Sequence, residues 1–137
     1  MAMILNKASE AKLKGVHPDL VRVVRRVCQD WNDPAVLFVI TCGVRTLEEQ
    51  KKLLASGASK TMRSRHLVAP NGFSHAIDVA MTLDGKVCWD WPLYDKAAKA
   101  FKAAAKAEKV PLEWGGDWPK FRDGPHFQLP WATHSGK

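Results

Sequence analysis

Ser74-His75-Ala76-Ile77-Asp78-Val79-Ala80-Met81 is the stretch from which the rest of the chain is read. From Ala76 to Met81 it alternates, with Ile77 and Val79 on one face and Asp78 on the other. That predicts a strand carrying one carboxylate away from its apolar side. Asp84-Gly85 follows as a hairpin signal into Lys86 to Trp89. Upstream, Val36-Leu37-Phe38-Val39-Ile40-Thr41 is short, apolar and β-branched, the pattern of a buried strand with Gly43-Val44-Arg45 as its exit. Downstream, His126-Phe127-Gln128-Leu129 predicts a short closing strand.

Helices flank these strands. Pro18 suits a first turn, and Leu20, Val23, Val24, Val27, Cys28 and Trp31 recur at helical spacing opposite Arg22, Arg25 and Arg26, which gives a helix over about 18–31. Asn32-Asp33-Pro34 ends it. Thr46-Leu47-Glu48-Glu49 has the capping-box pattern and opens a helix to about Ala55, stopped by Gly57. Residues 93–109 form the clearest helix, with Leu93, Ala97, Ala100, Phe101 and Ala104 on one face and Lys96, Lys99, Lys102, Lys106 and Lys109 opposite; Pro111 bars its continuation. The lead-in shows helical character only around Glu10 to Leu13. Ala58 to Phe73 has no periodicity and is expected to be a long functional loop. Glu113 to Trp118 reads as an aromatic turn and Trp131 to Lys137 as a tail. The expectation is one α+β domain over 1–137, core about 8–130, with a small antiparallel sheet flanked by about three helices.

Bulk composition agrees. The chain has 137 residues, 46% hydrophobic and 26% charged, enough for a core without staples. No apolar run approaches a membrane span of about 20 residues, and Met1 to Lys7 lacks the features of a secretory signal. Cys28, Cys42 and Cys88 cannot all pair within the chain and form no Cys-x-x-Cys, so reduced thiols are expected. Lys and Arg number 21 against 14 Asp and Glu, a net +7 that suits an anionic partner, either nucleic acid or a bacterial envelope.

His66, Asp78 and His126 offer two imidazoles and a carboxylate, the donor types of a catalytic zinc with one position left for water. Asp123, three residues before His126 across Gly124-Pro125, is placed to take a proton from that water and return it to a leaving amine. His75 is a competing donor on composition, but its odd separation from Asp78 turns the two to opposite strand faces.

These residues sit in motifs: Ser64-x-His66, Ala76-x-Asp78, Trp114-Gly115-Gly116-Asp117-Trp118 and Asp123-x-x-His126, with Gly43-Val44-Arg45-Thr46 upstream. Together they resemble the zinc peptidases related to D-Ala-D-Ala carboxypeptidases and vancomycin-resistance dipeptidases, of the lysostaphin/hedgehog-type fold. Within that group they are most similar to phage endolysins that cut the L-alanyl-D-glutamate bond of peptidoglycan. The resemblance spans about residues 8–130. It implies zinc at His66, Asp78 and His126, Asp123 as general base, and Arg45 beside the scissile carbonyl, where a guanidinium stabilises a developing oxyanion. The alternative for Arg45 is a structural residue at the strand exit. Ser64 is expected to help hold substrate or to be a plain loop serine, and Trp114 to line the cleft. Asp78 lies twelve residues after His66, a longer interval than the family's usual one, so residues within Val68 to Phe73 must loop out. Ser74 stands where the family has Gly.

Other readings compete. A D-Ala-D-Ala carboxypeptidase would use the same metal site. A lysozyme-like glycosidase pairing Glu113 with Asp117 or Asp123 leaves the histidines without a task. A nucleic-acid-binding domain finds no known motif, and few aromatics interleave with the lysines. The lysine stripe is by default a solvated face, its functional alternative being attraction to an anionic envelope. The expected protein is a monomer that accumulates in the host cytoplasm until released to the wall.

Overall fold

The computed structural model describes residues 2–59 and 63–137; Lys60, Thr61 and Met62, in the expected loop, lie outside the described residues. Helices α1 (Lys7–Lys12), α2 (Pro18–Asp30), α3 (Leu47–Ala55) and α4 (Trp91–Glu108) accompany strands β1 (Val36–Cys42), β2 (Ala76–Leu83), β3 (Lys86–Val87), β4 (Glu113–Trp114) and β5 (His126–Gln128). The lead-in thus contributes a helix of its own. Asn6 caps α1, and its buried Ser9 accepts the Ile40 N–H on the open edge of β1 at 2.9 Å, which closes that edge to other strands. The capping box on Thr46 and Glu49 is present.

The sheet runs β1-β2-β5-β4, all antiparallel, with β3 sharing the second edge of β2 with β5. Parity then divides the side chains. Ile77, Val79 and Met81 join Phe38, Ile40 and Phe127 on the face covered by α2 and α4, where Phe101 of α4 stacks on Phe127 at 4.1 Å. Burying a side chain of that size contributes about 1.5–3 kcal/mol. It also fixes β5 one residue from His126. Asp78, His126 and Gln128 take the opposite face.

Residues 131–137 do not hang free. His134 Nε2 lies 2.9 Å from Asp19 Oδ2, Asn71 N–H donates to Gly136 O at 2.8 Å, and Arg65 bonds His134 O. The composition of this segment resembles a tail, but one side-chain pair and two backbone carbonyls fasten it, and contacts this distant in sequence leave no local signal. The excess between His66 and Asp78 is a compact turn: Gly72, at φ +90°, donates to Ala69 O, and Ala69 N–H donates to Phe73 O.

Candidate metal centre

The register of the sheet builds half of the site. Asp78 stands opposite His126 on one side and Cys42 on the other, so the three share one row and one face. A bulge between Ile40 and Cys42 is what brings Cys42 into that row. His66 arrives from the loop: its N–H donates to Ser64 Oγ at 3.1 Å, its carbonyl accepts from Arg45 N at 2.9 Å, and its ring is 2% exposed.

The two imidazoles are oriented from behind. His66 Nδ1 donates to Gly43 O at 2.8 Å, which leaves Nε2 facing Asp78 Oδ2 at 3.2 Å. His126 Nε2 donates to Gln128 Oε1 at 2.8 Å, which leaves Nδ1 facing Asp78 Oδ1 at 3.1 Å. These tautomers follow from the carbonyl acceptors behind each ring. Bare nitrogens and carboxylate oxygens at such distances repel unless a proton or cation lies between them. His66 Nε2 is buried and makes no hydrogen bond. The donor types therefore fit a metal ion, with His66 and His126 set against the two oxygens of Asp78.

Electrostatics point the same way. Burial opposes ionisation of Asp78, but His126 and His66 outweigh it and hold the carboxyl well below its ordinary range. Burial likewise opposes the charged form of His66, and Asp78 and Cys42 outweigh it and raise its pKa. A metal held by these residues would take the place of protons there. Asp123 moves the other way, pushed up by burial and then by the Asp78 charge. Its carboxylate lies within 4.8 Å of the ligand atoms of Asp78 and His126. Gly115 makes that approach possible, because a Cβ there would come 2.4 Å from Asp123 O. Asp78, Asp123 and His126 form one possible donor group, and Cys42, His66 and Asp78 another. Cys42 Sγ, however, meets His66 at Nδ1 (3.6 Å), the nitrogen already bonded to Gly43.

Arg45 Nη2 lies 3.7 Å from Asp78 Oδ2, while Nη1 donates to Gln50 Oε1 at 2.9 Å and to Ser64 Oγ at 3.4 Å. Ser64 thus orients both Arg45 and His66. Arg45, Ser64, His66, Asp78, Asp123, His126 and Gln128 line an open cleft of about 760 Å³, with Glu113, Trp118, Phe121 and Trp131 on its walls.

Trp114 does not line that cleft. It pairs with Phe127 in the sheet and shares the core face, 6% exposed, donating to Gly124 O at 2.7 Å. Its neighbour Glu113 has the opposite parity and takes the cleft side, accepting from Trp118 Nε1 at 2.7 Å and Gln128 Nε2 at 3.3 Å. Sequence reading missed Gln50 and Gln128; their only signal is proximity to motif residues. Asp117, the other acid of the glycosidase reading, pairs with Lys102 at 2.7 Å. Lys96 pairs with Asp33 at 3.1 Å, so the exposed lysines of α4 and Lys109 just after it are not an unbroken free stripe.

His17, Asp19 and His134 also come together. Their atoms have protein partners: His17 Nδ1 accepts the Asp19 N–H at 3.0 Å, and Asp19 accepts from Arg22 at 3.0 Å and bonds His134. This cluster is a latch between the C-terminal segment and α2. His75 turns to the same side, against His17 and Asn71, its pKa pushed down to about 4 by burial and then by Arg65, His17 and His134.

Two bare imidazole nitrogens and a carboxylate at the head of a cleft, with a desolvated carboxylate beside them, are the donor set of a metallohydrolase-type centre. The model of the phage L-alanyl-D-glutamate peptidase family matches residues 1–129. The chain belongs to that family. It is 40% identical over 112 residues to the L-alanyl-D-glutamate peptidase of Listeria phage A118, covering 81% of this chain and 37% of that protein. It is 32% identical over 100 residues to the Bacillus subtilis peptidoglycan L-alanyl-D-glutamate endopeptidase CwlK, covering 66% of this chain and 59% of that one. The chain thus spans less than two thirds of either relative. The crystal structure of the Serratia marcescens L-Ala D-Glu endopeptidase ChiX superposes with a TM-score of 0.82 at 40% identity, over 96% of this chain and 93% of that chain.

Proposed function

We propose that this chain is a zinc-dependent endopeptidase that cuts the L-Ala–D-Glu bond of peptidoglycan stem peptides and serves bacterial lysis by a phage. The observation that carries the reading is that His66 Nε2 and His126 Nδ1 face the two carboxylate oxygens of Asp78, with the Asp123 carboxylate within 4.8 Å of the ligand atoms of Asp78 and His126. Family membership and the names of the relatives supply the bond. His66, Asp78 and His126 hold the metal. Zinc bound there supplies Lewis acidity toward water and the scissile carbonyl.

The remaining steps belong to the side chains. Asp123, with its raised pKa, accepts a proton from the attacking water as the new C–O bond forms. It delivers that proton to the D-Glu nitrogen as the C–N bond breaks. Arg45, steadied by Gln50 and Ser64, directs its guanidinium at the oxygen that gains charge. The protein acts as a monomer and reaches the wall from the host cytoplasm.

Digestion of purified peptidoglycan followed by mass spectrometry tests this. New L-Ala carboxyl ends and D-Glu amino ends are expected, lost on chelation and restored by zinc. Release of terminal D-Ala alone identifies a carboxypeptidase instead, and new reducing sugar ends with chelator-resistant activity identify a glycosidase.

A further inference from the structure

We propose that residues 129–136 form a strap that, by way of the buried Arg65 guanidinium, sets the position of His66 in the metal centre. The inference rests on the reading of His66 as a ligand.

Arg65 immediately precedes His66 and is 4% exposed. Its guanidinium takes its hydrogen-bond acceptors from the backbone after β5: Nε and Nη2 donate to Leu129 O at 3.2 and 3.1 Å, and Nη2 also to His134 O. The Trp131 ring covers it, 4.0 Å from guanidinium carbon to ring centroid. Carbonyl dipoles and an aromatic face thus hold this cation in place of a carboxylate. At its backbone Arg65 is held again, its carbonyl accepting from His75 N at 2.8 Å and Ser74 Oγ at 3.3 Å. Arg65 is therefore a fixed spacer between the loop carrying His66 and the chain that continues from the strand carrying His126.

The strap is anchored at its far end. His134 is latched to Asp19 at the start of α2. Gly136 O accepts from Asn71 in the turn between His66 and Asp78, and a Cβ on Gly136 would come 2.7 Å from Ala69 Cβ. Residues 130–137 follow the stretch that the family model matches. They and the lengthened turn pack against each other. Both ligand-bearing segments therefore share one tie, and loosening it changes the separation of the two imidazoles, whose ring centroids are 5.1 Å apart.

Cobalt(II) substitution tests the proposal, because its visible absorption reports ligand geometry. The full chain is compared with Arg65→Met, Arg65→Lys and Trp131→Ala, each loaded with cobalt(II) and titrated against a competing chelator. Arg65→Met should shift the cobalt spectrum and weaken metal binding by about 10–100-fold, as loss of a partner that orients a ligand does. Arg65→Lys should recover only part of that, since an ammonium lacks the planar fork that reaches both carbonyls while stacking on Trp131. Trp131→Ala, changed at the surface, keeps the experiment decisive if Arg65→Met fails to fold; it should shift the spectrum in the same direction. Variants that are less stable yet match the wild-type spectrum and affinity overturn the strap, leaving Arg65 a structural residue only. Failure of the wild type itself to bind one cobalt or zinc per chain overturns the metal reading instead.

Discussion

Gln128→Leu isolates the contribution of the residue behind His126. In the wild type, Gln128 Oε1 accepts the His126 Nε2 proton at 2.8 Å, and both residues are about 5–6% exposed. Leucine fills similar space but accepts nothing, so a metal-bound His126 would keep a buried N–H without a partner. That costs about 1–3 kcal/mol, which at 1.4 kcal/mol per decade is about 5–150-fold in affinity. Loss of metal-ligand supporting groups elsewhere gives about 10–100-fold, in the same range. Most of this cost falls on the metal-bound form. Metal-free His126 can move its proton to Nδ1, where Asp78 Oδ1 waits at 3.1 Å. The assay is competition for zinc against a chromophoric chelator, beside thermal unfolding of the metal-free protein. Expected is a loss of zinc affinity larger than any loss of metal-free stability, to which the missing Gln128 Nε2 bond to Glu113 also contributes. Wild-type affinity in the leucine variant would refute the reasoning, since His126 Nε2 would then need no partner.

Asp123→Asn should retain its metal and fold while turnover falls by about 10²–10⁴-fold; loss of metal in that variant, measured by elemental analysis, would make Asp123 a ligand. Lys99→Glu, Lys106→Glu and Lys109→Glu together spare the ion pairs of Lys96 and Lys102 and the buried face of α4. If these lysines attract an anionic envelope, lysis of permeabilised cells should fall at low salt. The deficit should fade as the Debye length shrinks toward about 8–10 Å, with soluble muropeptide cleavage unchanged. Equal lysis by both proteins at low salt leaves them a solvated face.

How the residues meet explains what the sequence could and could not tell. The strands around Phe38, Ile77 and Phe127 were legible because period-two alternation is local, and the capping box on Thr46 because its two bonds span three residues. Trp114 takes the core face and not the expected cleft wall because a two-residue strand has too little alternation to reveal its parity; only its pairing with Phe127 decides it. The bulge in β1 is the sharper case. Regular continuation of the Ile40–Val79 pairing would set Thr41 opposite Asp78, and the bulge sets Cys42 there instead. That shift directs the chain through Gly43, whose carbonyl holds His66, and on to Arg45, whose side chain reaches Asp78. Nothing local in Thr41-Cys42-Gly43 announces it. Just beyond it, a Cβ at Gly43 would meet Lys12 O at 2.0 Å, so only glycine lets the strand exit pass this close under α1. The motif residues were thus readable one by one, while their convergence is a property of the register. The register gives Asp78 its two neighbours in the row, and the loop held by Gly43 O and Arg45 N brings His66 to its carboxylate.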